Sequence, residues 1–246
     1  MVLKSLMCVL SAAAYATANV EKAIFLGPQT VNIPLQRPSL DDLHIDALTP
    51  SNLSLRTHVE AEFPRAGAEK GKATWLLLDG LTPGQRYEAR VCWAATQPTA
   101  FTVETYELPT VWETPELMAS LYEYSMSRQQ TEDAPDEAQQ PRIYRPSEAE
   151  GAAGERVSSV LFLQILAAAD YFSANKTLME TVPPVYVDII LDPFFFNVLP
   201  QSLLPTVGYI VVIAVISLVL SQKVVAWIQG YIAYAQSEEQ KEKKQQ

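Results

Sequence analysis

Residues Leu203–Leu220 read LLPTVGYIVVIAVISLVL, and this stretch decides how the rest of the chain must be built. Twelve of its 18 residues are Leu, Ile or Val, and no charge occurs between Pro193 and Gln222. At about 1.5 Å of rise per residue, such a helix nearly matches the roughly 30 Å hydrocarbon core of a bilayer. Each Leu, Ile or Val near the helix centre favours insertion by about 0.3–0.6 kcal/mol. The core helix of a soluble domain usually keeps a polar stripe; here only Thr206, Tyr209 and Ser217 interrupt the apolar surface. The stretch is therefore expected to be a transmembrane helix, with bounds at 201–222. It separates a long preceding part from a short tail, 223–246.

Composition narrows what the long part can do. The chain has 246 residues, enough for one or two domains, and a net charge of −10. A nucleic-acid partner needs a basic face, so the acidic balance excludes that class. The first residues, MVLKSLMCVLSAAAYATA, carry Lys4, a short apolar run Leu6–Ala14 and the small-residue site Ala16-Thr17-Ala18. That order is the pattern of a secretory signal peptide, 1–18. An N-terminal membrane anchor is the alternative, but the apolar run is too short to span. Cleavage removes Cys8 and leaves Cys92, which then has no internal disulfide partner; it either pairs with another chain or, as preferred, is a buried thiol in a strand.

A cleaved signal followed by one span puts the N-terminal part in the lumen and the tail in the cytosol. Lys223 follows the span, whereas no Lys or Arg occurs between Thr177 and Ser202, so the charge bias agrees. The N-glycosylation acceptors Asn52 and Asn175 both precede the span. The chain ends Lys243-Lys244-Gln245-Gln246, and this resembles the dilysine signal that returns membrane proteins to the endoplasmic reticulum. A solvated charged terminus is the plainer reading of the same residues. A GPI-attachment signal ends in an apolar tail, and this charged terminus does not fit one.

The preceding part reads as short strands. Leu53, Leu55, Val59, Ala61 and Phe63 fall on alternate positions, the period of a half-buried strand. Lys22–Leu26, Ala73–Leu78, Ala100–Tyr106 and Pro184–Asp192 are further candidates. The segment Leu81-Thr82-Pro83-Gly84-Gln85-Arg86-Tyr87 resembles the corner of fibronectin type III and related sandwiches, in which a tyrosine hydroxyl bonds back to the backbone. The expected fold is mainly β: a β-sandwich with a trailing helix over 19–128, membrane-proximal strands over 156–200, and the single C-terminal span. Thr114-Pro115-Glu116 starts the helix, expected to run to Arg128. Val157–Phe172 fits either strand or helix, with a strand rejoining the sandwich preferred. Segment 129–155 has seven acidic and two basic residues between Thr131 and Glu155, and is expected to be a disordered acidic loop.

Signs of chemistry are sparse. His44 and His58 have no cysteine partner in zinc spacing, and there is no phosphate loop or nucleophile elbow. Asp188 and Asp192 fall on one side of a strand, where two carboxylates could hold a metal or a sugar donor. The competing reading makes them polar strand positions ending in an Asp-Pro turn. No catalytic, cofactor or metal residue is assigned.

The layout resembles the co-activator subunit family of fungal GPI mannosyltransferase II. The likeness is strongest over Ala168–Phe172, Asn175–Met179, Val187–Pro193 and Asn197–Leu203. The resemblance implies an endoplasmic-reticulum glycoprotein, single-pass and type I, that supports a multispanning mannosyltransferase without catalysing. It supplies no catalytic motif and no cofactor. On the residues themselves, Phe194, Phe195 and Phe196 suit the membrane–water interface or a partner helix. Gly208, Ala214 and Ser217 would allow a helix to approach closely, so these six are the expected docking residues. Membrane lipid is the other expected partner. A subunit for another GPI step, or a cargo receptor with a lectin-like sandwich, remains open.

Overall fold

A computed structural model describes residues 19–132 and 154–244. The expected signal peptide, and nearly all of the expected acidic loop, lie outside the described residues. The chain forms two units, Met1–Pro200 and Gln201–Gln246. In chain order the strands are β1 (Val20–Leu26), β2 (Val31–Pro34), β3 (Asp46–Leu48), β4 (Ser54–Val59), β5 (Lys72–Leu78), β6 (Arg86–Trp93), β7 (Thr99–Glu107), β8 (Glu155–Ser158), β9 (Leu161–Ala169), β10 (Val185–Phe195) and β11 (Leu199–Pro200). Helices α1 (Leu108–Glu113), α2 (Pro115–Glu132) and α3 (Lys176–Glu180) belong to the first unit, and α4 (Leu204–Lys244) to the second.

Alternating residues build the first sheet, ordered β1-β6-β10-β4 with every pair antiparallel. Val185, Val187, Ile189 and Leu191 of β10 are buried, while Tyr186, Asp188 and Ile190 between them face outward or are half-covered. The second sheet is ordered β3-β5-β9-β7, with β3 and β5 parallel. Its inner face supplies Leu76, Leu78, Leu163 and Ile165 to the core shared with the first sheet. Its outer face carries Trp75, Leu77 and Phe162, which pack with Val111 of α1 and Leu121 of α2. The result is three layers: sheet, sheet and helix pair.

This layering explains why Val157–Phe172 was ambiguous as sequence. β9 lies between β5 and β7 and is covered on both faces, so apolar residues occupy consecutive positions and the period-two signal disappears. It is a strand, as preferred. The helix expected from Thr114 runs from Pro115 to Glu132, and Leu121 is its buried anchor. A short helix, α1, precedes it and was not foreseen. The indole Nε1 of Trp75 donates to Ser120 Oγ at 3.1 Å, which gives the buried ring a polar partner on α2.

The corner at Tyr87 forms as expected. Tyr87 is buried, and its hydroxyl accepts from the Thr82 N–H at 3.0 Å and donates to Gln85 Oε1 at 3.0 Å. The chain is mainly β with two packed sheets, as expected, but its strand order departs from that of fibronectin domains. In an immunoglobulin-type sandwich the strand after the tyrosine strand stays in the same sheet. Here β6 lies in the first sheet and β7 in the second. The chain returning at β8 is fixed by a buried ion pair, Arg156 Nη1 to Asp79 Oδ2 at 2.9 Å, with Ser158 Oγ donating to Asp79 at 2.6 Å. β8 itself pairs with β2 as a separate ribbon.

The second unit is dominated by one helix. α4 is 41 residues long, about 60 Å at 1.5 Å per residue. Its apolar segment, Gln201–Ala233 including the preceding 3₁₀ turn, is long enough to cross a membrane, and its most apolar part is unburied. The helix does not end with the uncharged run at Gln222; it continues through Lys223.

Two glycines separate strain from close approach. Both Gly67 and Gly71 have positive φ, of 84° and 80°. A Cβ on Gly67 meets nothing, whereas one on Gly71 would sit 2.0 Å from the Ala167 carbonyl oxygen. Gly67→Ala is expected to cost about 1–2 kcal/mol, from left-handed strain alone. Gly71→Ala is expected to cost about 4 kcal/mol or more, because β5 and β9 must separate. Thermal unfolding of the two variants measures the difference. Tyr87→Phe, by the same measurement, is expected to lose about 1 kcal/mol.

Candidate functional site

The outer face of the first sheet carries the carboxylates that the sequence singled out. Asp188 and Asp192 do share a side of β10, but each faces a guanidinium. Arg56 on β4 donates to Asp188 through Nε at 2.6 Å and Nη2 at 2.9 Å, a two-pronged pair. That contact holds the Asp188 carboxyl below its usual range and raises Arg56. Arg90 Nη2 lies 3.2 Å from Asp192, and Arg90 Nε lies 3.4 Å from buried Glu88, which Lys22 also reaches at 3.0 Å. The carboxylates are thus neutralised by neighbours on β4, β6 and β1. No group of three or more His, Cys, Asp or Glu side chains arranged for a metal occurs among the described residues.

The histidines are dispersed. His44 ends a 3₁₀ turn, Leu40–Leu43, with φ of 52°, while the exposed His58 ring on β4 meets Tyr186 in a tilted contact with centroids 4.9 Å apart. Cys92 is a free thiol on β6, half-buried rather than fully buried. Burial pushes its pKa up.

Both glycosylation acceptors are exposed. Asn52 follows a tight turn in which its N–H donates to the Thr49 carbonyl at 2.9 Å. Asn175 caps α3: its Oδ1 accepts from the Thr177 N–H at 3.0 Å. A glycan attaches through Nδ2, so the cap and the modification use different atoms.

The expected docking residues divide. Phe194 is 7% exposed, with the Arg86 guanidinium 5.8 Å over its ring, so it belongs to the body and not to a free surface. Phe195 and Phe196 are 49% and 82% exposed, and Val198 beside them is 78% exposed. By strand alternation Phe194 lies on the same face as Asp188 and Asp192, and it is covered there with the Arg86 guanidinium over its ring. In the second unit, Gly208, Ala214 and Ser217 lie on a continuous helix. At about 100° per residue, Ala214 and Ser217 are neighbours, but Gly208 falls on the opposite side from Ser217. The three therefore cannot line one seam. Lys243 and Lys244 are the last described residues of α4.

A polar groove of about 650 Å³ went unseen in the sequence. The turn before β5, from Arg65 to Lys72, faces Ser120, Glu123 and Tyr124 of α2 across it. Its charges are largely paired: Arg65 with Glu62 at 3.1 Å, Lys70 with Glu104 at 2.7 Å, and Lys72 with Glu60. Burial raises the Tyr124 hydroxyl to about 12, so it stays protonated. No local signal marks this groove, since its walls come from segments about 50 residues apart in the chain.

Similarity to known proteins is confined to part of the chain. A GPI mannosyltransferase 2 subunit of Schizosaccharomyces pombe is 37% identical to it over 51 residues. The match covers 21% of this chain and 29% of that subunit, so the chain spans under a third of its relative's length. No protein-family model matches the chain, and no solved structure matches it.

Two measurements address these positions. Alkylation of Cys92 is expected to be slow at neutral pH and to accelerate as pH rises past 9, the ordinary thiol value that burial raises. Fast labelling at pH 7 would contradict the half-buried environment. Endoglycosidase is expected to reduce the mass of the native protein. Thr177→Ala is expected to remove the Asn175 share of that shift while leaving the capping N–H in place.

Proposed function

We propose that this chain is a non-catalytic accessory subunit of an endoplasmic-reticulum GPI mannosyltransferase, the one that adds the second mannose in GPI-anchor biosynthesis. The similarity to a subunit of GPI mannosyltransferase 2 carries this reading. It supports a role in the GPI pathway, and the layout is in keeping with the finer role. One apolar helix on a β-rich body suits a single-pass protein that packs beside a multispanning enzyme. Lys223 after the uncharged run favours a lumenal body and a cytosolic C-terminus. Lys243 and Lys244 would then return the complex to the endoplasmic reticulum.

In this reading α4 meets the enzyme inside the bilayer. The neighbouring small residues Ala214 and Ser217 let another helix approach, since without a hydrophobic driving force helices in lipid associate by close packing. Gly208 would serve a different contact on the opposite side. The mannosyl transfer itself is the partner's chemistry.

Affinity purification in mild detergent is expected to yield one multispanning mannosyltransferase in fixed proportion. A mixture of secretory cargo would favour a lectin-like receptor, and a different GPI enzyme would move the subunit to another step. Depletion is expected to accumulate a GPI precursor bearing one mannose. Alkaline carbonate is expected to leave the protein in the membrane; release would remove the span from the proposal.

A further inference from the structure

The tip of the β10–β11 hairpin is built in an unusual way. Phe195 pairs with Leu199, and the Val198 N–H donates to the Phe195 carbonyl at 3.2 Å. The central residues Phe196 and Asn197 both have positive φ, of 51° and 58°. Such a turn normally takes Asn, Asp or Gly at both positions, and a bulky residue there is strained. The strained residue is also the most exposed aromatic of the tip, at 82%. In water this position gains nothing for Phe196 from either backbone or solvent.

The tip is nevertheless held firmly. The Asn197 side chain accepts from the Arg86 N–H at 2.8 Å and donates to the Gly84 carbonyl at 3.0 Å. Gln85 Nε2 donates to the Phe194 carbonyl at 3.3 Å. Gly84, Gln85 and Arg86 belong to the corner that Tyr87 pins, so the tip is a rigid extension of the folded body. Phe195, Phe196 and Val198 project from it, and the exposed Arg86 side chain places its guanidinium over the neighbouring Phe194.

Chain length supplies the occupant. Val198 precedes Gln201, the first residue of the apolar segment, by three residues. Three extended residues reach only about 10–11 Å. We infer that Phe195, Phe196 and Val198 form a wedge that enters the lipid interface, with Arg86 at the level of the lipid phosphates. Aromatic rings suit that interface, and a guanidinium suits phosphate. The wedge gives the body a second hold on the bilayer besides the covalent one. It rests on α4 being a span, and not on the identity of any partner enzyme.

The test uses the full chain reconstituted in phosphatidylcholine nanodiscs, with Cys8→Ser and Cys92→Ser removing the native thiols. Phe196→Cys and, separately, Tyr122→Cys are labelled with a polarity-sensitive dye. Tyr122 is a control on α2, 65% exposed. The expected result at position 196 is blue-shifted emission quenched by bromine-labelled acyl chains, with water-like, unquenched emission at position 122. Water-like emission at both would overturn the wedge. Shielding of 196 that appears only when a co-purified enzyme is added would assign the tip to protein and overturn the lipid assignment. Phe196→Gly keeps the folded state testable, because glycine relieves the strain. With a dye at Val198→Cys, it is expected to leave the unfolding temperature equal or higher while weakening lipid quenching. Unchanged quenching would count against Phe196 as the wedge. A protein that resists carbonate yet leaves position 196 in water would sink the wedge and spare the span.

Discussion

The second sheet must be covered on both faces, and the rest of the body is arranged to meet that demand. β5 and β9 present large apolar side chains to either side: Leu76, Leu78, Leu163 and Ile165 toward the first sheet, Trp75, Leu77 and Phe162 toward the helices. Each such side chain withdrawn from water stabilises the fold by about 1.5–3 kcal/mol. One covering layer would leave half of that surface wet. The helix pair α1–α2 is therefore a structural layer, and the polar groups it buries are matched, as in the bond from Trp75 to Ser120.

The first sheet faces a different constraint. Its inner side closes the shared core, while its outer side is left for charge. Lys22, Glu88, Arg90, Asp192, Arg56 and Asp188 form ion pairs across neighbouring strands. Pairing of this kind satisfies carboxylates that would otherwise be costly to bury. The same sheet carries the corner at Tyr87, which holds both the start of β6 and the hairpin tip at Asn197. A single turn thus fixes the sheet's packing and aims its exposed aromatic residues.

The second unit carries a helix long and apolar enough to cross a bilayer. Its length exceeds a hydrocarbon core of roughly 30 Å, so part of α4 must lie beyond it or tilt. Lys223 interrupts the apolar surface, with Trp227 and Tyr231 following it at helical spacing, their rings 6.3 Å apart. Residues of this type favour the headgroup region.

Properties that depend on near neighbours were legible in the chain. The uncharged run before Gln222, the alternation of Leu53, Leu55, Val59 and Ala61, and the Thr82–Tyr87 corner all follow from spacing, because helix, strand and turn impose short periods. What depends on distant partners was not. Asp188 meets an arginine 132 residues away, Asp192 one 102 residues away, and neither pairing leaves a trace in local pattern. The same holds for β6 and β7 parting into different sheets, for the helix layer over Trp75 and Phe162, and for Phe194 being covered while Phe195 and Phe196 stay exposed. Local spacing settles what a segment becomes; which segments meet is settled by the burial their combined surfaces achieve, and only the assembled fold expresses that sum.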